Sequence, residues 1–132
     1  MILVVGILAV ILLYMLTVYL AVSAPRWTKA DRQARELLRT VLTPEQYRQL
    51  SMWGHIDIAS PSHPERVYRI PRERGRVQLR EKGRLRAWLC LQTCDEWVPD
   101  ADQVVIHKLM IEGDEETYLQ TANHTLPFFI GD

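Results

Sequence analysis

Apolar and polar positions along this chain fall into three regimes. Residues 2–22 form a run of 21 without a charged side chain, dominated by Leu, Ile and Val. A helix of that length covers roughly 30 Å, the hydrocarbon thickness of a bilayer. Within hydrocarbon a helix satisfies its own backbone donors and acceptors. The pattern therefore predicts one N-terminal transmembrane helix within residues 1–24. Arg26, Trp27 and Lys29 follow directly, and snorkelling charges beside an aromatic ring mark a membrane interface. Val22, Ser23 and Ala24 have the small side chains of a signal-peptide cleavage site. Against cleavage stand the length of the run, the lack of a basic segment before it, and Pro25 at the would-be new N-terminus. The segment is read as a retained span.

In the second regime Ala34, Leu37, Leu38, Val41 and Leu42 recur at helical spacing, with Arg32, Arg35, Glu36 and Arg39 between them. Thr28 and Asp31 have the spacing of a capping box. Thr43 followed by Pro44 starts a second helix, which runs through Tyr47 and Leu50 and stops near Gly54. This helical pair has too little basic character to read DNA, since Arg48 is the only base on its second helix.

From His55 the period changes to two. Strands are predicted over 55–59, 67–70, 76–80 and 84–91, with Gly75 and Gly83 at two of the turns. Leu85, Ala87, Leu89 and Leu91 share one face of the last strand and Arg84 and Arg86 the other. Beyond Pro99, Asp100 is placed to cap a helix whose inward positions are Val105, Ile106, Leu109 and Met110. Gly113 ends it, and Asp114, Glu115 and Glu116 open a last helix at its favourable dipole end. The expected fold class is α+β: a transmembrane helix, a helical pair, a four-stranded antiparallel meander and two C-terminal helices. Residues 25–132 form one small domain, with an apolar tail over 124–132.

Charge sharpens this picture. The 132 residues carry 16 Lys and Arg against 16 Asp and Glu, and 48% of them are apolar, which excludes a disordered chain. The zero sum conceals a division: residues 25–88 hold 15 basic and 7 acidic side chains, whereas 89–132 hold 1 basic and 9 acidic. Arg26, Lys29, Arg32, Arg35 and Arg39 all lie close behind the span, so the positive-inside rule places the domain in the cytoplasm and the N-terminus outside a cytoplasmic (inner) membrane. Such a compartment keeps Cys90 and Cys94 reduced.

Candidate chemistry is sparse. The span holds no His, Asp, Glu, Lys or Arg, and so offers neither an imidazole haem ligand nor an ion path. Gly6 with Ala9, and Thr17 with Ala21, would allow close helix packing. Cys90 and Cys94 have one residue too many between them for a C-x-x-C site and read as structural thiols. His55, His63, His107 and His124 show no metal-pair spacing, and His107 reads as a histidine at the edge of a helix interface. Asp100, Asp102 and the 114–116 acids lack the rest of an EF-hand loop. No catalytic residue, metal or cofactor is assigned. The strongest feature is nine Lys or Arg between residues 66 and 86. Arg72, Arg74, Arg76, Arg80, Lys82, Arg84 and Arg86 are taken as contacts to a protein partner or to anionic lipid. Nucleic acid is disfavoured, because no RNP motif accompanies them. Phe128, Phe129 and Ile130 add an apolar end that could dock into a neighbour.

Residues 34–123 resemble a group of small bacterial α+β proteins through Leu42-Thr43-Pro44-Glu45-Gln46, Arg66-Val67-Tyr68-Arg69-Ile70, Pro99-Asp100-Ala101-Asp102, His107-Lys108-Leu109-Met110-Ile111-Glu112 and Asp114-Glu115-Glu116. The resemblance implies a compact α+β module and carries over no catalytic residue. In layout alone, one span with a small domain is similar to supernumerary subunits of bacterial electron-transfer complexes such as alternative complex III. The expectation is a single-pass, non-catalytic accessory subunit of a larger membrane complex, stabilising an electron-transfer assembly (quinol-oxidising or photosynthetic) alongside other transmembrane subunits. The alternative is a stand-alone, membrane-tethered module that recruits a soluble partner or anionic lipid. A small enzyme or metal protein built on Cys90, Cys94 and His107 is the third possibility.

Overall fold

Both capping signals are realised. In the computed structural model, which describes residues 1–23, 28–92 and 98–127, Thr28 caps helix α2 (Lys29–Val41), and its side chain and backbone exchange hydrogen bonds with Asp31. Thr43 does the same with Gln46 at the start of α3 (Pro44–Trp53), where Pro44 occupies the first turn. That helix stops because Gly54 adopts φ 73°, a left-handed conformation closed by its N–H donating to the Leu50 carbonyl. Ahead of both lies α1 (Ile2–Ser23), none of whose residues is buried. Its Thr17 hydroxyl is satisfied within the helix, donating to the Tyr14 carbonyl at 2.7 Å.

The sheet is an antiparallel meander of β1 (His55–Ala59), β2 (Arg66–Pro71), β3 (Val77–Glu81) and β4 (Arg84–Cys90), in that spatial order. A fifth strand, β5 (Asn123–Thr125), corrects the expected four: it pairs with β4 through Trp88↔Thr125, Leu89↔His124 and Cys90↔Asn123. This strand was missed because three polar residues carry no alternation to read; the edge of β4 is what makes them a strand. The tight β3–β4 turn uses Lys82 and Gly83 at φ 50° and 75°, the twist that a two-residue hairpin requires.

Between β4 and β5 the chain forms α4 (Asp100–Gly113) and α5 (Glu115–Thr121). Helix α4 packs on α2 and β2, and α3 packs on β1, so the helices cover one face of the sheet. Ile56, Ile58, Tyr68, Ile70, Val77, Leu79, Ala87 and Leu89 point into that interface with Leu38, Leu42, Leu50, Val104, Val105, Ile111 and Tyr118.

Two local expectations change. Asp100 is the first residue of α4 and makes no cap; Pro99 holds the N-cap position without a side-chain hydrogen bond. The buried face of α4 carries Val104, Val105, His107, Lys108 and Ile111, while Leu109 is 52% exposed. Apolar residues surround this helix, so spacing alone leaves its inward side open. It is settled by packing on α2 and β2 and by Tyr118, which gives His107 its partner, while Lys108 pairs with Glu112 one turn along the same helix.

Candidate functional site

The short link between α2 and α3 turns the chain back on itself. Leu50 and Ser51 of α3 thereby come opposite the first turns of α2, beside the β2–β3 turn and the residues leading into α4. These four segments enclose a groove of about 890 Å³. Leu38, Leu50, Val98, Pro99 and Ala101 supply its apolar lining, and Asp31, Arg35, Arg72, Glu73, Arg74 and Asp100 its charges.

Each wall is fixed by a nameable contact. The Arg72 N–H donates to the Gly54 carbonyl at 2.8 Å, joining the β2–β3 turn to the end of α3. Arg74 reaches the other wall, donating to the Val98 carbonyl at 3.1 Å with its Nε 3.9 Å from Asp100. Asp31 is committed to Thr28, whose hydroxyl and N–H hold its carboxyl below the usual range. Tyr47 accepts from Arg39 Nε at 3.0 Å. At the end of α3, just before Gly54, Met52 and Trp53 stand 69% and 62% exposed, an apolar pair outside the groove lining, with Trp53 stacked on His55.

The hairpin geometry divides the basic run that looks continuous in sequence. Arg72 and Arg74 line the groove and Arg76 is exposed just before β3. Lys82 and Arg84 lie at the far end of the sheet, a five-residue strand away, or about 16 Å. Lys82 there approaches Glu65 at 3.5 Å. Arg80 is half-buried and donates to the Gly83 carbonyl and to Gln78, and Arg86 approaches Glu81 at 3.6 Å. Arg76 and Arg84 have no ion pair among the described residues. Lys29 opens α2 and is exposed. Arg26, Trp27, Cys94, Phe128, Phe129 and Ile130 lie outside the described residues.

A second polar cluster, unseen in the sequence, sits at the far end. Glu115 is only 7% exposed and accepts hydrogen bonds from Ser60, Ser62, Tyr68 and, at 3.2 Å, Arg66, which also clamps Glu81. Burial opposes ionisation of Glu115, yet these donors outweigh it and hold its carboxyl at about 2. Deeper in the core, His107 Nδ1 lies 2.9 Å from the Tyr118 hydroxyl, and the Tyr118 ring meets Tyr68 edge-on. Burial lowers His107 to about 4, so it stays neutral, and raises both phenols. Every member of this cluster has a partner inside the fold, and its work is to tie β2, the β1–β2 loop and α5 together. Among the described residues no three His, Cys, Asp or Glu side chains converge as a metal site would require. Cys90 is a free, exposed thiol.

The features missed in the sequence were Met52, Trp53, Arg35 and Ser51. An exposed Met-Trp pair immediately before a helix-stopping glycine was the signal available for the first two.

Fold and groove together define a small α+β domain, an antiparallel sheet with helices on one face, bearing an amphipathic cleft and preceded by an apolar helix. Comparison with protein-family models, curated proteins and solved structures gives no match.

Proposed function

We propose that this protein is a single-pass, non-catalytic accessory subunit of a larger membrane complex, with the domain on the cytoplasmic side of the inner membrane and the N-terminus outside. The surface of α1 carries the reading. Its 22 residues carry no charged side chain and no buried position. The large side chains are exposed, from 41% at Val18 to 90% at Ile2. A soluble monomer rarely exposes a contiguous apolar patch of more than a few hundred Å²; lipid or other spanning helices are the surroundings that remove the penalty. Residues 28–127 already have a core of their own, so the helix has no packing duty to the domain. An electron-transfer complex is the most concrete host, on layout alone.

Mild detergent extraction of native membranes tests this. The full-length chain, with residues 2–22 intact by mass, is expected to copurify with other membrane subunits. A mature chain starting near Pro25, or a protein that runs alone after gentle extraction, overturns it. The groove favours a second reading, a tethered module that recruits a partner by itself. Under that reading the isolated chain binds its partner without companion subunits.

A further inference from the structure

We infer that the end of the domain carrying Met52, Trp53, Arg72 and Arg76 rests on an anionic bilayer surface. The inference builds on the membrane-anchored reading above and adds which face meets the lipid.

Position comes from the tether. Thr28 follows Ser23 by five residues, so the start of α2 lies within roughly 18 Å of the end of α1. Asp31 and Arg35, in the first turns of α2, line the same groove as Arg72 and Ser51. The end of the domain at which the chain arrives is thus the end that carries the groove. Lys82 and Arg84 occupy the opposite end of the sheet, a strand length away from the groove.

Chemistry points the same way. Trp53 combines an apolar ring with an indole N–H, the pairing that suits the headgroup region. Met52 beside it, 69% exposed, adds further apolar surface. Arg72 meets Glu73 at 3.6 Å, but with side chains 52% and 81% exposed the two remain solvated. Arg76 has no ion pair among the described residues, and a guanidinium forks readily onto a phosphate. Exposed apolar side chains flanked by arginines, held near a bilayer by a covalent tether, complement an anionic leaflet without needing a high intrinsic affinity.

The test uses the full chain in nanodiscs of brominated phosphatidylglycerol or brominated phosphatidylcholine. The quenched fraction of tryptophan emission is compared between the wild type and Trp53→Phe. A quenched component that belongs to Trp53 is expected in phosphatidylglycerol and much reduced in phosphatidylcholine. Arg72→Gln and Arg76→Gln are each expected to weaken it roughly fivefold, with the near-ultraviolet spectrum of the folded domain unchanged. A chain that incorporates normally, with Trp53 equally unquenched in both lipids, overturns the inference and leaves the anchor standing. A chain that enters neither disc overturns both.

Discussion

Glu115 accepts a hydrogen bond from the Tyr68 hydroxyl across 47 residues of chain, at a point where Arg66, Ser60 and Ser62 also converge. Among the described residues the carboxylate is the one acceptor these donors share. Glu115→Ala leaves a buried phenol without its partner and an arginine, 17% exposed at its side chain, with only Glu81. The expected loss is about 3–5 kcal/mol of domain stability, and less for Glu115→Gln, which keeps one acceptor. Urea unfolding of the detergent-solubilised chain measures it; a loss within about 0.5 kcal/mol would place the cluster among ordinary surface contacts.

Acid should unfold this domain in two stages. His107 is held near 4 against an ordinary 6.5, so the unfolded chain binds a proton more readily than the folded one. Its contribution is fully present above pH 6.5 and lost as the pH falls toward 4. Glu115 is held near 2 against 4.5, so its contribution is present above pH 4.5 and lost as the pH falls toward 2. Each shift corresponds to about 3 kcal/mol. His107→Gln is expected to flatten stability between pH 6.5 and 4 and leave the lower stage in place. An unchanged upper stage in that variant would assign it to another group.

Gly54 ends α3 at φ 73°, and a Cβ built there meets nothing within 4 Å. Gly54→Ala therefore carries the conformational cost alone, about 1 kcal/mol. Because the Gly54 carbonyl also accepts from Arg72, the same substitution is expected to loosen the groove wall. Thermal unfolding reads the first effect and amide exchange at Arg72 the second; no change in either would contradict the left-handed cap.

The short β5 covers the edge of β4. A chain ended after Pro127 is expected to keep the fold, since β5 is intact. One ended after Ala122 leaves the β4 hydrogen-bonding groups open and should self-associate at micromolar concentration. Light scattering separates the two; equal behaviour would make β5 dispensable.

Much of the local structure was legible. The Thr28 and Thr43 caps, Pro44, Gly54 and Gly83 act within a few residues, and the strands with one buried face announce themselves by alternation. What escaped depends on partners far along the chain. Glu115 reads as a helix-end acid, which it is, but Tyr68 and the β1–β2 loop make it a buried hub. Leu109 and His107 exchange their expected places because α4 is apolar on most sides and its orientation is decided by α2, β2 and Tyr118. The seven basic side chains from Arg72 to Arg86 form one stretch of sequence and two ends of a sheet.

The apolar run at 2–22 and the division of charge behind it were determined by the sequence alone, because hydropathy and net charge are sums over neighbouring residues. Tertiary structure decided which of those charges meet. Arg66 joins Glu115 and Arg74 joins Asp100, so these contacts interlock the basic and acidic halves of the chain. Contacts of that kind follow from strand direction and helix packing, which no local sum contains.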